Sequence, residues 1–225
     1  MLRPRPTTAE TCAVDLFWLP LGAGGWCVRL NGRVYEACAA ARDRRARRDL
    51  YHAALEVRTP RGRFTVEMAP IRDALGSTRG VVGEGPVGSR YAGRLRLFRY
   101  EIRRWRDGVI PDLDAAVGGR RTVTTSCDSA ARVLAAVPEV PRLVWGRDEA
   151  GVHDMWNSNS LIAWLLTRAG IDAQGLEPPA GGRAPGWQAG IDVALRLAPQ
   201  PADVPPAANP HAPPGERGLR ARGSE

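Results

Sequence analysis

The chain has 225 residues, of which 44% are hydrophobic, enough to bury one sizeable core with tails and short for two. Its formal charge of +8 rests on arginine alone, since no lysine occurs; with abundant Ala, Gly and Pro, this is the bias that a GC-rich coding sequence imposes, so no nucleic-acid partner is expected. Cys12, Cys27, Cys38 and Cys127 lack both the paired spacing of a zinc site and the density of a disulfide scaffold, and three histidines are too few for a His-based metal site, so no metal or cofactor is expected and the thiols read as reduced, mostly buried groups of a cytoplasmic protein.

Residues 1–11 are polar and Pro-containing, a flexible lead-in. Arg3 and Arg5 precede an apolar run from Leu16 to Ala23, but Asp15 and Pro20 interrupt it. No stretch approaches the ~20 apolar residues of a membrane span, so neither secretion nor a membrane anchor is expected. Val14, Leu16 and Trp18 alternate along Ala13–Leu19 as a first strand. Gly22, Gly24 and Gly25 then form a tight turn, without the Gly pattern or the Lys-Ser/Thr of a phosphate loop. Asn31-Gly32 marks another turn. Val34 to Arg48 reads as a helix with Tyr35 and Cys38 inward, and Arg42, Arg44, Arg45, Arg47 and Arg48 crowd its end, where the dipole favours cations.

A hairpin follows, Tyr51–Val57 answered by Phe64–Met68. Leu55 and Val57 share a face with Phe64, Val66 and Met68, while His52, Ala54, Glu56, Thr65 and Glu67 take the other. A two-residue turn at Arg61-Gly62 would set Glu56 opposite Glu67. The Gly-rich stretch 71–91 is a structured loop or a short edge segment. Arg94 to Trp105 reads as a third strand, and its arginines are the contact that a polyanion-binding reading would use. Ser126–Val137 reads as a helix capped by Thr125 or Ser126, with Cys127 in its first turn as an alternative nucleophile. Ile191–Leu197 reads as a last strand, and residues 199–225 as a disordered Pro-, Ala- and Arg-rich tail. The domain therefore spans 12–198.

The organising stretch is Asp154 to Leu166. Asn157-Ser158-Asn159-Ser160 runs into Leu161, Ile162, Leu165 and Leu166, and Gly170 closes the segment, which describes a buried helix from Ser158 to Ala169. Free N–H groups and the positive end of the dipole converge at its start, where a nucleophile or an anion is stabilised.

His52 within Leu50-Tyr51-His52-Ala53-Ala54-Leu55-Glu56-Val57, followed after the sheet by Asn157-Ser158-Asn159-Ser160-Leu161, resembles the circularly permuted papain-like proteins. These comprise the permuted NlpC-type hydrolases, the PPPDE peptidases and the lecithin:retinol acyltransferase group, in which a His strand precedes a helix opening Asn-Cys-Asn-x-Phe. The resemblance implies an α+β fold, a small antiparallel sheet packed on a nucleophile-bearing helix. It also implies a hydrolase or acyltransferase acting on an amide or ester of a small molecule or peptide, with Ser158 in the cysteine's place and His52 as base.

A serine does not ionise near neutral pH, so His52 would have to remove its proton as a true general base. Helix-start N–H groups, with the Asn157 or Asn159 amide, would hold the oxyanion. Glu56 lies roughly 13 Å along the strand from His52 at ~3.4 Å per position, too far to orient it. Glu67, His153 and Asp154 are the remaining supporting candidates. The alternative is a papain-like binding or interaction protein that keeps the cleft without the chemistry.

Overall fold

The alternating apolar runs assemble into one antiparallel sheet. In the computed structural model, which describes residues 12–22, 26–71, 80–110 and 112–197, its strands are β1 (Ala13–Pro20), β2 (Tyr51–Thr59), β3 (Gly62–Pro70), β4 (Val81–Pro86), β5 (Arg99–Arg106) and β6 (Arg121–Thr124), in the order β4-β5-β3-β2-β1-β6. The helices are α1 (Trp26–Arg42), α2 (Cys127–Ala136), α3 (Ser158–Arg168) and α4 (Trp187–Arg196). The chain thus adopts the expected α+β class. The lead-in and the tail lie outside the described residues.

Strand parity divides the sheet into two unlike faces. Val14, Leu16, Tyr51, Ala53, Leu55, Val57, Val66 and Met68 join Leu161, Ile162, Leu165 and Leu166 of α3 in the main core. Each fully buried large aliphatic of α3 contributes about 1.5–3 kcal/mol relative to exposure. On the opposite face a smaller cluster joins Phe17, Leu19, Ala54 and Ile110, and the rest of that face is a ladder of ion pairs. Arg58 donates to Asp15 at 2.7 Å, Arg63 to Glu56 at 3.0 Å and Arg103 to Glu67 at 2.9 Å.

Several local readings need correction. The hairpin turns at Pro60-Arg61, because Thr59 pairs with Gly62, so Glu56 faces Thr65 and not Glu67. α1 begins well before Val34 and runs straight through Asn31-Gly32. Gly32 serves close approach there, since a Cβ would stand 2.6 Å from the Leu21 side chain. Residues 92–98 form two short 3-10 turns before β5, which leaves Leu95 and Leu97 exposed. The expected last strand is α4. Its Ile-x-Val-x-Leu alternation mimics a strand, but burial of Ala189, Gly190, Ile191, Val193 and Ala194 follows helical spacing. Gly190 lets α4 lie directly on α3, as a Cβ there would meet Ala163 Cβ at 2.9 Å.

The thiol reading is also corrected. Cys12 and Cys127 form a disulfide, with Cα atoms 5.0 Å apart, across 115 positions of sequence, and Cys38 is exposed. Cys127 is therefore no nucleophile. It opens α2 just after the Ser126 cap, whose hydroxyl accepts from Ser129 N–H, and ties that helix to the foot of β1. Among the described residues no helix is long and apolar enough to cross a membrane.

Closing so long a loop removes much of the freedom of the unfolded chain, by about 4–5 kcal/mol in the chain-entropy description. Reduction, or Cys127→Ser, is expected to lower the unfolding free energy by several kcal/mol and the Tm by about 10 °C. Calorimetry with and without reductant checks this.

Candidate functional site

The start of α3 is assembled from its own polar side chains. Asn157 is the N-cap, and its Oδ1 accepts from the N–H of Asn159 at 2.8 Å and of Ser160 at 3.4 Å. Ser160 returns the bond, its Oγ accepting from Asn157 N–H at 3.0 Å, which completes a capping box with serine at its third position. The Ser160 hydroxyl also donates to the Gly186 carbonyl at 2.7 Å.

Asn159 points the other way, to the edge of β2. Its Oδ1 accepts from Ala53 N–H at 2.8 Å and its Nδ2 donates to Tyr51 C=O at 3.0 Å. One amide side chain thus occupies the positions that a neighbouring strand would take. The vacancy exists because β3 pairs with β2 only from Leu55 onward. The peptides so held flank His52.

The loop from Arg183 to Gly186 is gathered onto the same point. Asn157 Nδ2 and Asn159 Nδ2 both donate to Pro185 C=O, at 2.8 and 2.9 Å. Gly186 has φ 86° and touches Asn157 so closely that a Cβ would lie 2.5 Å from its Oδ1; only glycine suits both demands. Asp154 accepts from Gly186 N–H and from Met155 N–H, both at 2.8 Å, and burial raises its carboxyl above the usual range.

Two of the candidate residues are not brought together. His52 pairs with Leu19 in the register of β1 and β2 and so shares the face of Phe17 and Ala54, opposite to the face that α3 covers. Among the described residues no hydrogen bond joins His52 to Ser158. Desolvation pushes the His52 imidazole down to about 4, partly offset by the charge of Asp112, so it is neutral at pH 7. Glu67 is committed to Arg103. His153 is exposed with φ 63°, and its N–H donates to Asp148.

Ser158 differs from its three neighbours. It is 6% exposed, and among the described residues neither its hydroxyl nor its N–H has a hydrogen-bond partner. Asn157, Asn159 and Ser160 are all spent on structure.

A cleft of about 820 Å³ opens elsewhere, with Leu21, Leu50 and Val117 and the exposed Arg33, Arg47 and Arg48 in its lining. Its wall contains Glu36, a buried acid that sequence reading passed over although it is the only one in the arginine-bearing α1. Glu36 accepts from Arg45 at 2.5 and 3.2 Å, from Arg183 at 2.9 Å and from Arg48 N–H at 2.9 Å. These donors, Arg45 foremost, hold its carboxyl down at about 2. Asp112, the charge nearest His52 in effect, carried no signal, since it sits 60 positions away in a loop. Among the described residues no group of three or more His, Cys, Asp or Glu could hold a metal ion.

Replacing Asn159 by Leu leaves Ala53 N–H and Tyr51 C=O unpaired, while Pro185 C=O keeps the Asn157 amide, and should cost about 2–4 kcal/mol in denaturant unfolding. The two perturbed groups act in separate pH windows. His52 titrates near 6.5 unfolded and near 4 folded, so the unfolded chain binds the extra proton and stability falls as pH drops from 6.5 towards 4. His52→Gln is expected to flatten that limb. Glu36 stabilises fully above 4.5, and this is lost as pH falls from 4.5 towards 2; Glu36→Gln should flatten only that lower limb.

No protein-family model matches the chain, no curated protein matches it, and no solved structure matches its fold.

Proposed function

We propose that the protein is a non-catalytic binding protein that keeps a papain-like helix-on-sheet layout without a working Ser–His pair. The observation that carries this reading is strand parity, which sets His52 on the face of β2 opposite α3. General-base catalysis needs the imidazole within hydrogen-bond reach of the hydroxyl. The side chains that would serve an oxyanion are consumed in holding Pro185, Gly186 and the β2 edge, and the cleft of about 820 Å³ is not lined by Ser158. The Cys12–Cys127 bond supports work in an oxidising compartment, where such bonds persist.

A second reading keeps the chemistry: a hydrolase or acyltransferase acting on an amide or ester with Ser158 as nucleophile. It is favoured by the uncommitted hydroxyl and N–H of Ser158 at the positive end of α3, a nucleophile and an oxyanion donor on one residue. It requires His52 to come round the edge of β2 that Asn159 occupies.

The discriminating measurement is labelling with a fluorophosphonate together with hydrolysis of activated esters. For the binding protein, wild type and Ser158→Cys are both inert, and Ser158→Ala keeps the wild-type Tm. Turnover or labelling that disappears in Ser158→Ala would establish the hydrolase instead. In that case kcat/KM should fall below about pH 6.5, the ordinary imidazole value, because His52 reaches Ser158 only by leaving the buried face whose desolvation lowers it.

A further inference from the structure

We propose that the cleft between α1, residues 47–51 and the loop at 115–117 binds a small organic anion, a phosphate monoester or carboxylate carried on an apolar body. This rests on the binding reading for the need of a ligand, but not on the fate of Ser158.

The cleft has two unlike halves. Its apolar lining comprises the half-buried Pro20, Leu21 and Leu50 and the exposed Val117. Its rim carries Arg33, Arg47 and Arg48, all exposed, and among the described residues none of the three has a carboxylate within ion-pair distance. Arg45 and Arg183 beside them are spent, since both close on Glu36. Free guanidinium groups beside an apolar lining recognise an oxyanion in the plane of the fork and the rest of the molecule by burial.

The two acids of the cleft do not cancel the rim. Glu36 takes four donors from Arg45, Arg183 and the Arg48 backbone, so its charge is neutralised within the wall. It also fixes the main chain on which Arg47 and Arg48 are carried, which lowers the cost of ordering them around a ligand. Asp49 is exposed at the rim, leaving three guanidinium groups against one free carboxylate, a surplus suited to a dianion. The volume of about 820 Å³ falls in the range of small-molecule sites.

The test is calorimetric titration of the full chain, at fixed ionic strength, with phenyl phosphate, phthalate, inorganic phosphate and 2-phenylethylamine. Phenyl phosphate or phthalate is expected to bind one to one, the tighter of the two naming the headgroup. Inorganic phosphate should bind at least tenfold more weakly for want of the apolar half, and the amine not at all. Arg47→Ala with Arg48→Ala should weaken binding about tenfold or more at unchanged Tm, and Val117→Glu should weaken it independently. Arg94→Ala with Arg96→Ala, an equal loss of charge elsewhere on the surface, should leave it unchanged.

Equal weakening by that control, undiminished binding by the Arg47/Arg48 variant, or no binding of either organic anion overturns the proposal. Failure here would leave the binding reading standing with another ligand class. Ser158-dependent turnover would remove that reading without touching the cleft.

Discussion

A single side-chain amide holds this fold at a buried joint between helix and sheet. Antiparallel pairing satisfies the backbone of β2 on the β1 side along its whole length, but β3 reaches it only from Leu55. The peptides on either side of His52 would otherwise present a bare strand edge inside the protein, at a cost comparable to lost hydrogen bonds. Asn159 supplies both missing partners at once. In doing so it fixes the register of α3 along the sheet to within one residue, because no other position on the first turn offers an amide to that edge.

The same joint draws in the loop from Arg183 to Gly186. Arg183 pairs its backbone with Asp49 and Tyr51 and its side chain with Glu36, while Pro185 and Gly186 are held by the first turn of α3. The wall of the cleft and the head of the central helix are therefore two ends of one hydrogen-bonded unit only four residues long. Rigidity at one end is inherited by the other, and neither half of this unit is built from apolar packing.

How much of this the sequence discloses depends on whether the determinant is local. α3 is legible because its cap, its apolar face and its Gly170 stop all lie within one short segment. The faces of the β2–β3 hairpin are legible for the same reason, but not its register: alternation is unchanged by a shift of two, and the turn sits at Pro60-Arg61, which pairs Leu55 with Val66 and Val57 with Phe64. The structural duties of Asn157 and Asn159 are not, since their partners Pro185, Tyr51 and Ala53 lie far along the chain; a polar quartet at a helix start looks the same whether it serves chemistry or architecture. α4 is hidden by an alternation of apolar and charged residues that fits either period, and the tie-breaker, close packing of Gly190 on α3, is tertiary. The pairing of Cys12 with Cys127 has no local signature, and two distant cysteines in a chain with few of them look like unrelated core thiols.

That disulfide has a topological consequence. The ring it closes, from residue 12 to residue 127, contains all six strands, while α3 and α4 lie outside it. A protease cutting a loop within the ring would leave the two pieces covalently joined. A cut in the exposed turn around Gly146 and Arg147 would instead leave the piece that carries α3 and α4 without a covalent link to the sheet, held by packing and by hydrogen bonds such as those of Asn159 and Arg183. The part of the molecule that fills the core is the part that the covalent bond does not retain.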